Sequence, residues 1–227
     1  LNAGQVSGVA LSPRSPTTLF VATPRGSTRE DASTVLQYSI TDRTKNVIGK
    51  GISIEPIRTI LAVENKGEIW LYAGVEGRGI YRWTDNEMGW HFVNRGITSY
   101  SIRNLVAVPG TPLRIYAGSQ DFGGVFLSED AGDNWRNISG ETLFGVSVLS
   151  MASIVSNGAI LVGSYDGRIF YRDPDDVEWS PVAAFPGEGA ATSIAVEPKQ
   201  GQFVYAGTSS GSIFLSNDGG IHWIWMS

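Results

Sequence analysis

The chain has 227 residues, of which 42% are hydrophobic, and it contains seven Trp, 28 Gly and no Cys. This composition allows a substantial apolar core, and the absence of Cys excludes disulfide bonds and thiolate metal sites. The formal net charge of -5 argues against a nucleic-acid partner. No apolar run reaches the roughly 18 residues of a membrane-spanning helix, and we expect no signal peptide because LNAGQVSGVA lacks its basic and apolar regions.

The predicted elements begin with a repeat that lacks a tryptophan. The run VSGVALSPRSPTTLFVAT, which starts at Val6, predicts two strands, and VLQYSI with the turn TDRTKN predicts the rest of a sheet. The loop between them, PRGSTREDAS, is the largest departure from the later repeats. Insertions in repeat proteins often map to the binding face, so Arg25 and Arg29 of this loop are candidate contact residues.

Four more regular repeats follow along the chain. Each combines a short apolar run, a second run that ends in Ala-Gly or Val-Gly, a Gly-containing turn, a third run and a hairpin that leads to a tryptophan. No segment has a helical period, so four strands in a repeat of about 45 residues predict a propeller blade. The markers that keep this pitch are Gly74, Gly118, Gly163 and Gly207, and Trp90, Trp135, Trp179 and Trp223.

These repeats predict an all-β fold, a five-bladed β-propeller of four-stranded antiparallel blades, in a single domain over residues 1–227. The approximate blades are 1–52, 53–97, 98–141, 142–186 and 187–227. Closure requires the first and last blades to meet, since an edge otherwise stays open, and neither end of the sequence clearly lends a strand to the other. Five blades of a larger propeller are therefore the alternative.

Two hairpin sequences, SEDAGDNW and SNDGGIHW, follow one pattern, Ser-x-Asp-x-Gly-x-x-Trp. Its residues are Ser128, Asp130, Gly132 and Trp135 in one copy and Ser216, Asp218, Gly220 and Trp223 in the other. Ser and Asp oxygens accept backbone N–H groups in a tight turn, Gly permits a positive φ, and Trp returns the chain to an apolar layer. The pattern resembles the Asp-box, or BNR, repeat of sialidases, sortilin, some xyloglucanases and the photosystem II assembly propeller.

The resemblance implies a fold rather than an activity. In these families the box lies on the hairpin between the third and fourth strands, away from the ligand face, and most members are secreted, periplasmic or lumenal. We therefore expect structural Asp-boxes, no cofactor, no metal site and an extracytoplasmic location. The acidic run DPDDVE, from Asp173, replaces one box and lacks the spacing of a calcium loop, which predicts a solvated hairpin.

The ligand face of such a propeller is built by the loops between strands two and three and by the linkers between blades. Two arginines that start matching inner strands, Arg58 and Arg103, could hold a carboxylate or phosphate, but we favour the pairing of each with a nearby acid. Polar loop tips are also common in ordinary turns. The candidate ligand-binding residues are Arg58, Arg78, Tyr100, Arg103, Asp121, Phe122, Tyr165, Asp166 and Arg168.

Three functions are compatible with these features. The first, which we favour, is a non-catalytic binding or scaffold module of a bacterial extracytoplasmic protein, with a protein or glycan partner at the loop face. The second is a glycan-active hydrolase with Asp121 and Asp166 as its carboxylate pair, which must lie about 5–9.5 Å apart. The Arg-Ile-Pro motif typical of sialidases is absent. The third is a subunit docked in a larger membrane-associated assembly.

Overall fold

The computed structural model describes residues 6–23, 33–53, 55–86 and 89–226. Arg25 and Arg29 lie outside the described residues. The described part of the chain contains no helix and forms five antiparallel sheets of four strands each, and each sheet is built from four consecutive strands. The prediction of five four-stranded antiparallel propeller blades is confirmed.

The first two sheets contain strands β1 to β8. The strands of the first sheet are β1 (Gly8–Ser12), β2 (Ser15–Thr23), β3 (Ser33–Ser39) and β4 (Thr44–Ser53). The strands of the second sheet are β5 (Ile57–Asn65), β6 (Glu68–Val75), β7 (Gly79–Thr84) and β8 (His91–Phe92).

The remaining three sheets contain strands β9 to β20. The third sheet has β9 (Ile102–Val108), β10 (Arg114–Ser119), β11 (Gly124–Ser128) and β12 (Arg136–Asn137). The fourth sheet has β13 (Val148–Ser153), β14 (Ile160–Ser164), β15 (Arg168–Arg172) and β16 (Ser180–Ala184). The fifth sheet has β17 (Ala191–Val196), β18 (Val204–Thr208), β19 (Ile213–Ser216) and β20 (Ile224–Trp225).

Burial follows the order of strands within a sheet. Every residue of β10, β11 and β14 is buried, except the half-buried Arg114 at the start of β10, because these middle strands are covered on both faces. The outer strands β8, β12 and β20 are two residues long and exposed. Strands covered on both faces have nearly continuous apolar sequences, which explains runs such as RIYAGS and ILVGS.

The chain divides into two compact units. The first unit comprises residues 1–115 and 128–135, and the second comprises 116–127 and 136–227. In the first unit, Phe20, Ala22 and Val35 pack in one apolar core with residues of β5, β6 and β7. In the second unit, Leu161 and Ala206 belong to one core, next to which the rings of Phe185 and Phe214 stack 3.8 Å apart. No described segment forms a helix that could cross a lipid bilayer.

Candidate functional site

The first Asp-box hairpin connects β11 to β12 and is closed by its own side chains. The Ser128 hydroxyl donates to Asp130 Oδ1 over 2.9 Å and accepts the Gly132 N–H over 2.8 Å. Asp130 Oδ1 also accepts the backbone N–H of Asn134 over 2.8 Å, and its Oδ2 accepts the Asn134 amide over 2.7 Å. Gly132 has a φ of 91°, which Gly adopts without a steric penalty.

The second Asp-box hairpin, between β19 and β20, repeats this arrangement. The Ser216 hydroxyl donates to Asp218 Oδ1 over 2.7 Å and accepts the Gly220 N–H over 2.8 Å. Asp218 Oδ1 also accepts the backbone N–H of His222 over 2.9 Å, and its Oδ2 lies 2.6 Å from His222 Nδ1. The box carboxylates are therefore used by the turns that contain them, as expected of structural residues.

Hydrogen bonds keep both box carboxylates ionised. Partial burial raises the pKa of Asp130, but hydrogen bonds from Asn134 and Ser128 outweigh it and bring the pKa below its usual value. The same balance, with His222 and Ser216 as donors, brings the pKa of Asp218 well below its usual value. Catalytic carboxylic acids need the opposite shift, so neither residue has the properties of a general acid.

Three repeat tryptophans bond to the backbone one repeat earlier in the chain. The indole N–H of Trp135 donates to the Val93 carbonyl over 2.8 Å, and the indole of Trp90 donates to the Ile48 carbonyl over 3.1 Å, both within the first unit. In the second unit, the indole of Trp179 donates to the Ile138 carbonyl over 2.7 Å. Each of these three tryptophans thus ties its own repeat to the preceding one.

The hairpin that replaces a box in the fourth sheet is held by a different network. The Tyr171 hydroxyl donates to Asp173 over 2.8 Å. Burial, and to a lesser extent this hydrogen bond, raises the pKa of Tyr171 to about 12. Arg172, which is 7% exposed, donates to the Asp176 carbonyl. Among the described residues, no group of three or more His, Asp and Glu side chains is placed to hold a metal ion.

The candidate ligand residues lie at the edge of the sheets opposite to the Asp-box hairpins, because the two kinds of connection leave opposite ends of the third strand. We call this edge the loop edge and describe it separately in each unit. In the first unit it contains residues 55–58, 76–78 and 98–103, and in the second unit residues 120–123, 139–147, 165–167, 185–190 and 209–212.

The loop edge of the first unit is a set of paired charges. Arg58 contacts Glu76 at 2.6 Å, and Arg78 contacts Glu55 at 3.8 Å. The Tyr100 carbonyl accepts the Gly79 N–H over 2.9 Å, so the linker that contains Tyr100 lies beside the β6–β7 turn.

Arg103, which is exposed at the start of β9, also has an interaction partner. The pairing with a nearby acid that the sequence suggested for Arg58 and Arg103 is therefore present for Arg58, and Arg78 is paired with an acid as well. A guanidinium that is already paired has less to gain from a carboxylate or phosphate ligand.

The loop edge of the second unit brings two predicted loops to one linker. The β10–β11 turn contacts the chain at the start of the linker 139–147. The Asn137 amide donates to the Gly123 carbonyl, and the Ser139 hydroxyl accepts the Val125 N–H. The β14–β15 turn contacts the end of the same linker, because the Tyr165 N–H donates to the Ser147 carbonyl over 3.0 Å. Residues 139–147 therefore run beside both turns.

Three aromatic rings project from these segments into solvent. Phe122 in the β10–β11 turn is 70% exposed, Phe144 in the linker is 86% exposed, and Tyr165 in the β14–β15 turn is 71% exposed. Phe122 also has a φ of 56°, which is uncommon for a bulky residue. Phe122 and Tyr165 are among the ligand-binding residues predicted from the sequence, and Phe144 lies in one of the linkers between blades that were predicted to build the same face.

Two of the charged residues beside these rings form an ion pair. Arg168 contacts Asp166 through Nη2 at 2.6 Å and Nε at 2.7 Å, and the Ser164 hydroxyl donates to Asp166 over 2.5 Å. Burial raises the pKa of Asp166, but the bonds from Arg168 and Ser164 bring it below its usual value. Asp166 is therefore suited to an ionised role and not to proton donation. In the β10–β11 turn, the Asp121 N–H donates to the Ser119 hydroxyl over 3.3 Å.

One polar centre of the loop edge was not predicted. Glu188, in the linker before β17, accepts hydrogen bonds from the Ser210 and Ser212 hydroxyls over 2.6 and 2.5 Å. The bond from Ser210, followed by that from Ser212, brings the pKa of Glu188 below its usual value. The signal was available in the sequence, because the linker GEG and the serine-rich loop TSSGS belong to the two loop sets that share this edge.

No protein-family model matches the sequence, and no curated protein matches it either. Solved structures do resemble it. An enzyme of class GH74 from Niastella koreensis superposes with a TM-score of 0.78 at 17% identity. The extracellular domain of the one-component system BT4673 from B. thetaiotaomicron gives 0.68 at 17% identity, and YCF48 bound to D1 peptide gives 0.64 at 16% identity.

The similarity covers most of this chain but only part of each similar structure. It covers 97%, 93% and 97% of this chain, and 38%, 27% and 66% of the GH74 enzyme, BT4673 and YCF48. The chain thus spans less than two thirds of the first two structures. All three are β-propellers of the Asp-box type. Together with five four-stranded sheets and two closed Asp-boxes, this similarity identifies the fold of the chain as an Asp-box β-propeller.

Proposed function

We propose that this protein is a non-catalytic binding module that holds its partner on the loop edge of the second unit. The observation that carries the proposal is the set of three exposed rings, Phe122, Phe144 and Tyr165, on segments tied to one linker. Aromatic side chains dominate the centres of protein interfaces because they bury a large area at a low cost in conformational entropy.

The charges beside the rings disfavour a polyanion as the partner. Asp166 and Arg168 neutralise each other, whereas Glu188 keeps its negative charge while it accepts two serine hydroxyls. A polyanion would be repelled by Glu188, and an apolar peptide or a neutral sugar would not. A protein segment is our first choice, since YCF48, with 66% of its length covered, was solved bound to a peptide.

An extracytoplasmic location belongs to the same proposal. One similar structure is the extracellular domain of a larger protein, and the chain has no Cys whose oxidation would matter outside the cytoplasm. A partner within a membrane-associated assembly is a special case of this function, since docking on the loop edge needs no membrane-spanning segment in the chain itself.

The test is capture of partners with a loop variant and a matched control. The variant combines Phe144→Ala with Tyr165→Ala. The control is Val177→Ala, an 80% exposed side chain in the β15–β16 hairpin, at the edge opposite to the loop edge, which we call the hairpin edge. We expect the unaltered chain and the control to retain the same protein from a native extract, and the double variant to lose it. Equal retention by all three chains would contradict the proposal.

A glycan-active hydrolase is the second candidate, because the GH74 enzyme has the highest TM-score of the three structures described above. In this case Asp166 would be the ionised carboxylate and Asp121 the proton donor. The test is turnover of a glycan panel by the chain and by the Asp121→Ala and Asp166→Ala variants. Turnover that falls by orders of magnitude in either variant would support the hydrolase, and a chain with no turnover would leave the binding module.

A further inference from the structure

The segments that form the loop edge of the second unit are acidic. They contain four carboxylates and no Lys or Arg, and these carboxylates belong to Asp121, Glu141, Asp166 and Glu188. The segments that form the loop edge of the first unit contain two Glu and three Arg instead. The two loop edges therefore differ in charge, although the same two sets of loops build them.

The carboxylate of Glu188 is oriented by its neighbours but is not neutralised by them. The Ser210 and Ser212 hydroxyls both donate to the same oxygen, Oε2, over 2.6 and 2.5 Å. Each oxygen of a carboxylate can accept hydrogen bonds, and Oε1 of Glu188 accepts none from the described residues. No Lys or Arg in the described part of the chain forms an ion pair with Glu188 either. One oxygen of an oriented carboxylate is thus left for a donor that these residues do not supply.

Glu141 is a second carboxylate without a basic partner, and it lies beside one of the exposed rings. It is exposed in the linker 139–147, and no described Lys or Arg forms an ion pair with it. The Phe144 N–H donates to the Glu141 carbonyl over 3.3 Å, so the two residues belong to one tight turn. The exposed ring of Phe144 therefore has a carboxylate in the same turn.

The linker that contains Glu188 runs beside the turn that contains Tyr165. The Phe185 N–H donates to the Gly167 carbonyl over 3.0 Å, which joins the start of this linker to the β14–β15 turn. The backbones are also close further along, because a Cβ added at Gly167 would lie 2.4 Å from the Gly189 carbonyl oxygen. Glu188 and Tyr165 thus lie on adjoining segments, so carboxylates and aromatic rings are neighbours on this loop edge.

We propose that the partner is a peptide segment in which Lys or Arg side chains neighbour apolar ones, with its cations paired to Glu188 and Glu141. This inference rests on the proposed function, which assigns the partner to the loop edge of the second unit. A Lys or Arg side chain suits both features of the surface, because its cationic group pairs with a carboxylate and also binds the face of an aromatic ring. A purely apolar segment would remove water from Glu188 without supplying a counter-ion, which is costly.

The first test is a selection of random short peptides, displayed on phage, against the unaltered chain. We expect the enriched peptides to carry Lys or Arg next to aromatic or aliphatic residues. Selection against the double variant Glu141→Gln with Glu188→Gln should still enrich the apolar residues but no longer enrich Lys or Arg. Selection against Phe144→Ala with Tyr165→Ala should enrich no peptides of this kind.

The outcomes of the selection separate this inference from the proposed function. Enriched peptides that lack Lys and Arg, but need Phe144 and Tyr165 for binding, would overturn the inference and leave the binding module supported. Peptides that bind equally well without these two rings, or no enriched peptides at all, would overturn both.

The second test measures the ion pair with the most enriched peptide, labelled with fluorescein, by fluorescence anisotropy. Glu188→Gln should weaken its binding roughly two- to fivefold, which corresponds to the contribution of an exposed ion pair. Replacing the Lys or Arg of the peptide by Met should weaken binding by a similar factor. The two changes together should weaken it no more than either one alone, because both remove the same pair.

The matched control for the loss of a negative charge is Asp175→Asn. Asp175 is exposed in the β15–β16 hairpin, on the hairpin edge of the same unit, and this variant should bind the peptide like the unaltered chain. Circular dichroism checks that each variant folds, and Glu141→Gln replaces Glu188→Gln if the latter does not. Equal affinities of the Glu188→Gln and Asp175→Asn chains, or losses from the chain and the peptide that simply add, would overturn the pairing.

Discussion

The two edges of the sheets in the second unit use similar polar residues for opposite purposes. On the hairpin edge, Asp218 and Ser216 bond to each other and accept backbone N–H groups of their own turn. On the loop edge, Asp166 and Arg168 neutralise each other, and the exposed aromatic rings stand beside them. The recurring motif thus holds its own turns, and under the proposed function the segments that differ from repeat to repeat carry the surface for a partner.

The largest expected effect on stability is at the end of the first Asp-box. Trp135 is 6% exposed and donates its indole N–H to the carbonyls of Val93 and Gly132. Trp135→Ala should lower the free energy of unfolding by about 3–5 kcal/mol, the usual range for a buried aromatic side chain. Urea unfolding measures it, and Trp135→Phe, which keeps most of the apolar volume, should cost less. A loss below that of a surface substitution would contradict the structural role of the box.

The box glycine should give the next largest effect. Gly220 has a φ of 92°, and a Cβ added there would lie 2.8 Å from Leu161 Cδ2. Gly220→Ala should destabilise the chain by roughly 1–3 kcal/mol from backbone strain alone, with the close approach adding to it. Gly187→Ala on the loop edge is the control, because Gly187 has a φ of 82° but nothing within 4 Å of the added Cβ. Equal losses in the two variants would show that the contact with Leu161 contributes nothing.

The box carboxylate should make stability depend on pH. The pKa of Asp218 is lower in the folded chain than in the unfolded one, so its contribution is present above the unfolded pKa of about 4 and is lost as the pH falls through the folded pKa. Asp218→Asn should therefore be less stable than the unaltered chain at neutral pH, with a difference that shrinks in acid. Thermal unfolding between neutral and acidic pH measures this. A difference that does not change with pH would exclude the carboxylate as its source.

The smallest expected effect is on the loop edge. Tyr165 is 71% exposed, and its ring makes little contribution to the core. Tyr165→Ala should change the free energy of unfolding by no more than about 0.5 kcal/mol, and partner capture should nevertheless weaken. A large loss of stability would mean that the loop edge is structural as well, and the contrast between the two edges would fail.

The sequence predicted the architecture well because the residues that recur in each repeat are the ones that the backbone conformation and the burial of the hairpins require. Only Gly tolerates the positive φ of the box at Gly132 and Gly220, and the burial of Trp135 fixes the end of its hairpin. Two such markers at one pitch determine the number and order of the strands. The five-sheet count, the Asp-box turns and the position of the box hairpins between the third and fourth strands could all be inferred from sequence.

The candidate site was predicted less completely, because it depends on pairing between segments that are distant in sequence. The loops could be identified from the repeat, but the ion pairs of Arg58 with Glu76 and of Arg78 with Glu55 depend on three-dimensional distances. The hydrogen bonds of Glu188 with the serine-rich loop were missed for the same reason.

The indole bonds of Trp90, Trp135 and Trp179 have a consequence for how the repeats depend on one another. Each indole N–H lies in one repeat and its carbonyl acceptor lies in the repeat before it. Each of these hydrogen bonds therefore stabilises the contact between two neighbouring repeats and not a single repeat. Free energy in such an array divides into terms for single repeats and terms for neighbouring pairs. A repeat that is added by duplication therefore already carries the indole donor that bonds to the repeat before it. An array of such repeats can lengthen by reusing the same hydrogen bond between neighbours.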